Sequence, residues 1–136
     1  MRYKKLGSSD LNVSMICLGS MTWGTQNTVA EGAAQIDLAL DHGVNIIDTA
    51  EMYPTTPLSK ETQGDTERVI GSWVKASGRR QDVILATKVA GDGYANVRDG
   101  AAISPILLLT EKSSLYPVDS IRQIWQNMKL FQAYKY

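Results

Sequence analysis

An α/β fold with a parallel sheet is the fold class this sequence predicts, and three observations carry it. Apolar or β-branched runs at 15–18, 44–47 and 83–89 alternate with two stretches of helical spacing at 28–41 and 66–75. Each helical stretch is followed by a glycine, Gly43 and Gly78, the residue that most readily ends a helix. Strand, helix and strand in that order form right-handed βαβ units, which lay consecutive strands parallel.

The elements follow in order. Residues Tyr3-Lys4-Lys5-Leu6 and Leu11-Asn12-Val13, joined by the turn formers Gly7-Ser8-Ser9-Asp10, predict a small β-hairpin. Met15-Ile16-Cys17-Leu18 is an unbroken apolar run ended by Gly19, which suits a strand buried on both faces. A loop, Gly19-Ser20-Met21-Thr22-Trp23-Gly24, leaves it. In the first helix Ala33, Ile36, Leu38, Ala39 and Leu40 cluster at near-helical spacing behind Thr28, a suitable N-cap. Val44-Asn45-Ile46-Ile47 is a second buried strand, and residues 48–63 form a long proline-containing loop. Val69, Ile70, Trp73 and Val74 share one face of the second helix. Val83-Ile84-Leu85-Ala86-Thr87-Lys88-Val89 is the third strand, polar only toward its carboxyl end. Beyond it, Ile106-Leu107-Leu108-Leu109 and residues 121–130 are apolar patches that fix no element type.

Composition narrows the function. The chain has 136 residues, 43% of them hydrophobic, enough for one globular domain. Fourteen basic and fourteen acidic residues cancel and are scattered, so nothing marks a nucleic-acid or anionic-membrane partner. Cys17, the single cysteine, lies in an apolar run and reads as a buried free thiol, with no metal site suggested. The amino terminus has no apolar signal region and no segment reaches the length of a membrane span, so a reducing cytoplasm is expected.

In a parallel α/β sheet, functional groups gather at the carboxyl ends of the strands. Asp48 closes the second strand, Tyr53 follows in its loop, and Lys88 lies near the end of the third. Taken singly these are an ordinary loop cap, a half-buried aromatic and a surface lysine. As a set on neighbouring strand ends they suggest chemistry. A lysine there needs a carboxylate partner, and Asp48 is available. A positive charge beside a phenol stabilises phenolate, which would make Tyr53 a proton donor to a carbonyl oxygen.

Several separated runs resemble the aldo-keto reductase family. They are Leu11-Asn12-Val13-Ser14, Leu18-Gly19-Ser20-Met21-Thr22-Trp23-Gly24, Gly43-Val44-Asn45-Ile46-Ile47-Asp48-Thr49-Ala50-Glu51-Met52-Tyr53, Thr66-Glu67-Arg68-Val69-Ile70-Gly71 and Leu85-Ala86-Thr87-Lys88-Val89. The insertion at 54–65 resembles the bacterial Tas-type branch. The resemblance implies a partial (β/α)8 TIM barrel, with residues 1–105 as its amino-terminal part and 106–136 as a divergent tail. It also implies NADPH-dependent reduction of a small aldehyde or ketone. Tyr53 would be the general acid, and Lys88 and Asp48 its electrostatic partners. Gly19, Met21, Thr22 and Asp48 would lie on the cofactor, with Trp23 and Tyr53 on the substrate. Trp23 retains a second reading as a core or rim aromatic. The family binds NADPH without a Rossmann fingerprint, and Gly91-Asp92-Gly93 lacks the third glycine of GxGxxG.

The chain also departs from that family. Its fourth catalytic residue is a histidine at the end of the fourth barrel strand, whereas the one histidine here, His42, ends the first helix, where it suits a cap. A complete barrel takes roughly 200 residues or more, so about five strands are expected outside this chain. A truncated or frameshifted reading frame, inactive alone, is one reading. A non-catalytic α/β interaction module or pseudoenzyme that completes its open sheet with a partner is another, and an enzyme that completes its barrel by oligomerising or by pairing with a separately encoded fragment is the third.

Overall fold

The computed structural model describes residues 1–90. The tail at 106–136, and its boundary at 105, lie outside the described residues.

Two strands, β1 (Tyr3–Lys5) and β2 (Asn12–Ser14), pair antiparallel as the expected hairpin. It is fastened beneath the main sheet. Asn45, just ahead of the second sheet strand, accepts the Ser14 N–H through Oδ1 at 2.8 Å and donates from Nδ2 to the Asn12 carbonyl at 2.9 Å. Tyr3 Oη donates to the Gly43 carbonyl at 2.8 Å. The hairpin therefore caps the amino ends of the strands, the edge opposite Asp48.

The main sheet has three strands, β3 (Leu18–Gly19), β4 (Ile46–Asp48) and β5 (Ile84–Ala86), in that spatial order and all parallel. Register pairs Gly19 with Asp48 and Asp48 with Ala86, so the three carboxyl ends finish level. Helix α1 (Val29–Asp41) connects the first two strands and α2 (Asp65–Ser77) the last two, with a 3₁₀ turn at Arg80–Asp82 before β5.

Helix α1 opens on a reciprocal cap. The Glu31 N–H donates to Thr28 Oγ1 at 3.2 Å and the Thr28 N–H donates to Glu31 Oε2 at 2.7 Å. His42 caps the other end, with its ring Nδ1 2.8 Å from the Leu38 carbonyl. Gly43 then takes φ +78°, a left-handed conformation that side chains oppose, and a Cβ there would stand 2.8 Å from Tyr3 Oη.

The core joins Trp23, Ile36, Ile47, Val69, Ile70, Trp73 and Val83. Helices α1 and α2 approach at Gly32, where a Cβ would sit 2.6 Å from Val69 Cγ1. Leu38, expected among the buried positions of α1, is exposed. At about 100° per residue it lies about 200° round from Ile36, on the solvent side.

The run 15–18 corrects a larger expectation. Met15 and Ile16 are 57% and 59% exposed, and Cys17 is exposed as well, not buried. These residues turn the corner from hairpin to sheet: Met15 N–H donates to the Arg2 carbonyl at 3.0 Å and Ser14 Oγ donates to the Ile16 carbonyl at 2.6 Å. Only Leu18 and Gly19 enter the ladder. An apolar run scores as a strand whichever of its residues actually pair. Among the described residues no helix is long and apolar enough to cross a membrane, and no cluster of three metal-binding side chains occurs.

Candidate active site

The three carboxyl ends carry the polar groups. Lys88 Nζ donates to Asp48 Oδ1 at 2.8 Å, to Asp48 Oδ2 at 2.7 Å and to the Thr49 carbonyl at 2.8 Å. The same ammonium stands 4.8 Å from the centroid of the Tyr53 ring. Desolvation pulls the Lys88 pKa down, but its hydrogen bonds and charge interactions with Asp48 and Tyr53 outweigh that, and the pKa is raised. Both members of the ion pair remain roughly half exposed, so the cluster is open to small molecules from solvent.

Asp48 is held by the pairing of its own strand with both neighbours. Its carbonyl accepts a 2.6 Å bond from the hydroxyl of Ser20, which is buried. Tyr53 is placed by a turn, its N–H donating to the Ala50 carbonyl at 3.0 Å. Its own carbonyl accepts the Gly64 N–H at 2.9 Å, so the insertion at 54–65 leaves and returns at one point. That insertion also touches the loop after β3, where Thr25 Oγ1 and Gln26 Nε2 each donate to the Thr56 carbonyl at 3.3 Å. Glu67, from the first turn of α2, accepts the Thr87 hydroxyl at 2.6 Å beside Lys88.

The expected cofactor residues are distributed unevenly. Gly19 sits in register with Asp48, and a Cβ built on it would meet nothing within 4 Å. Met21 is exposed nearby in sequence, whereas the Thr22 hydroxyl is committed to Asn27 Oδ1 at 2.8 Å. Trp23 resolves to the core reading: it is 1% exposed, and its indole N–H donates to Gln35 Oε1 at 3.0 Å.

Ser20, Glu51 and Glu67, bonded to Asp48, Ala90 and Thr87, are not among the residues that the sequence singles out. Only the proximity of Glu51 to Tyr53 in the chain hints at a role.

Comparison with known proteins agrees with this geometry. Residues 15–132 match the model of the Aldo/keto reductase family. The chain is similar to Protein tas of Escherichia coli (strain K12), 46% identical over 96 residues, which are 71% of this chain and 28% of that protein. It is 40% identical over 90 residues to the uncharacterized oxidoreductase YrpG of Bacillus subtilis (strain 168), covering 65% of this chain and 26% of that one. Among solved structures, the holo form of the aldo-keto reductase AKR11C1 from Bacillus halodurans superimposes with a TM-score of 0.58 at 30% identity, over 92% of this chain and 37% of that one. The chain thus spans between a quarter and a third of the curated relatives it matches. A parallel sheet ending in a lysine, aspartate and tyrosine cluster, and a family match over residues 15–132, lead to one conclusion: this chain belongs to the Aldo/keto reductase family of oxidoreductases, and its fold is part of that family's (β/α)8 barrel.

Proposed function

We propose that this chain carries the proton-donating part of an NADPH-dependent carbonyl reductase acting on small aldehydes or ketones. The observation that supports it is the Lys88 ammonium, bonded to both oxygens of Asp48 while standing over the Tyr53 ring. When bound, NADPH supplies hydride to the carbonyl carbon. Tyr53 delivers its phenolic proton to the carbonyl oxygen, which completes the alcohol and leaves a phenolate. Lys88 stabilises that negative charge, and Asp48 keeps the lysine protonated and in place. Gly19, open on its Cβ side and level with Asp48, would leave room for the cofactor ring at the strand ends, with Met21 exposed in the loop that follows. Thr22 shapes the loop that carries them.

Positioning sets the limit. Holding hydride donor and carbonyl together can be worth about 7 to 11 kcal/mol of the barrier, against about 10²- to 10⁴-fold from general acid catalysis. In the family the pyrophosphate and 2′-phosphate are gripped by later parts of the barrel. The 136-residue chain is therefore proposed to be inactive by itself, and the same segment active within a complete barrel. The test is NADPH oxidation with a nitrobenzaldehyde, on both proteins and on Tyr53→Phe in each. Turnover by the 136-residue chain that Tyr53→Phe abolishes would overturn the inactivity; an active complete barrel indifferent to that substitution would overturn the role of Tyr53.

A second reading, association of two copies through the sheet, is favoured by its edges: among the described residues β3 and β5 each pair only with β4. A free thiol at Cys17 suits a reducing cytoplasm, the proposed location.

A further inference from the structure

We propose that Glu51 is a positioning residue that holds Lys88 against Tyr53 by bracketing it along its strand, an inference that rests on the carbonyl-reductase reading above. Past Asp48, the chain leaving β4 stays bonded to the extension of β5. Thr49 N–H donates to the Ala86 carbonyl at 2.9 Å, and Glu51 N–H donates to the Lys88 carbonyl at 3.1 Å. Bonds of a parallel ladder recur at every second residue, so the next N–H in line, that of Ala90, would ordinarily donate to the Glu51 carbonyl. It donates instead to Glu51 Oε1, at 2.6 Å.

The main chain has already turned away at that point, into the turn closed by Tyr53 N–H and the Ala50 carbonyl. The Glu51 carboxylate thus replaces a backbone acceptor where the chain leaves the sheet. One residue then does two things. It lets the chain peel off in the direction that carries the phenol, and it keeps the strand bearing Lys88 tied to the point of departure. Lys88 is gripped at its own carbonyl and, two residues on, at Ala90, while its ammonium meets Asp48, the Thr49 carbonyl and the Tyr53 ring.

The experiment follows the Lys88 side chain by carbon-13 NMR through a pH titration of the 136-residue chain, with its signal assigned by Lys88→Met. Three variants are compared with the parent. Glu51→Gln keeps an oxygen at the right reach, Glu51→Asp keeps the charge but shortens the reach, and Glu51→Ala keeps neither. If the bracket positions Lys88, Glu51→Gln titrates with the parent, whereas Glu51→Asp and Glu51→Ala both move the Lys88 midpoint down toward an ordinary lysine. Midpoints unchanged in Glu51→Asp and Glu51→Ala would overturn the proposal. So would a Glu51→Gln midpoint displaced as far as that of Glu51→Ala, since charge alone would then account for it. Should Glu51→Ala not fold, the contrast between Glu51→Asp and Glu51→Gln decides. No turnover is needed, so failure here is distinct from failure of the reductase reading, which the Tyr53→Phe assay tests.

Discussion

Lys88 and Asp48, 40 residues apart, meet through two hydrogen bonds of 2.8 and 2.7 Å at the carboxyl ends of adjacent parallel strands. The pairing depends on register. Asp48 lies opposite Ala86, and Lys88, two residues further on, reaches back over the strand end. A slip of one residue would turn one partner to the other face of the sheet.

The pair gives stability a defined pH dependence. The Lys88 pKa is raised above its ordinary value of 10.5, so the folded state binds that proton more tightly than the unfolded chain. The stabilisation is fully present below 10.5 and fades as pH rises through the folded value. Because both groups are about half exposed, the pair should contribute about 0.2 to 1 kcal/mol. Urea melts should show Asp48→Asn less stable than the parent by that amount at pH 8, with the difference shrinking above 10.5. A difference that grows with pH would contradict this assignment.

Thr66 ties the second helix to the loop after β3. It is fully buried, and its hydroxyl donates to the Trp23 carbonyl at 2.7 Å. Thr66→Val keeps the shape but leaves a buried carbonyl without its donor, at a cost of about 1 to 3 kcal/mol. Thr66→Ser should recover most of the loss. Equal melting of the valine and parent proteins would remove this bond as a stabilising contact.

Gly32 sets two effects against each other. Alanine gains about 1 kcal/mol of helix propensity over glycine, but its Cβ would lie 2.6 Å from Val69 Cγ1 in the closed contact of the two helices. Overpacking costs about 1 to 3 kcal/mol, so Gly32→Ala should be destabilising overall. Adding Val69→Ala should make the glycine-to-alanine step favourable again, as a double-mutant cycle would read. Additive effects of the two changes would mean the helices part without cost.

Unpaired strand edges invite association. Light scattering on the 136-residue chain should return a mass above that of a monomer, in line with the proposed pairing through β3 or β5. A compact monomer that melts cooperatively would count against it.

Much of this protein could be read from its residues alone. The hairpin, both helices and the parallel order of three strands follow from local patterns: alternation, helical spacing and glycine stops. So does the placement of Asp48 and Lys88 at neighbouring strand ends, as polar groups after apolar runs. These patterns are local, as are the forces behind them. Tertiary structure alone decided what depended on distant neighbours. The run Met15-Ile16-Cys17 is apolar enough for a buried strand, yet it is spent on a corner because Ser14 is drawn to Asn45. Trp23 belongs to the core because Gln35 and Thr66, 12 and 43 residues away, take up its indole N–H and its carbonyl. Glu51 carries no mark in the sequence of its bond to Ala90, since a side chain can replace a backbone acceptor only where folding has first brought the two strand ends level.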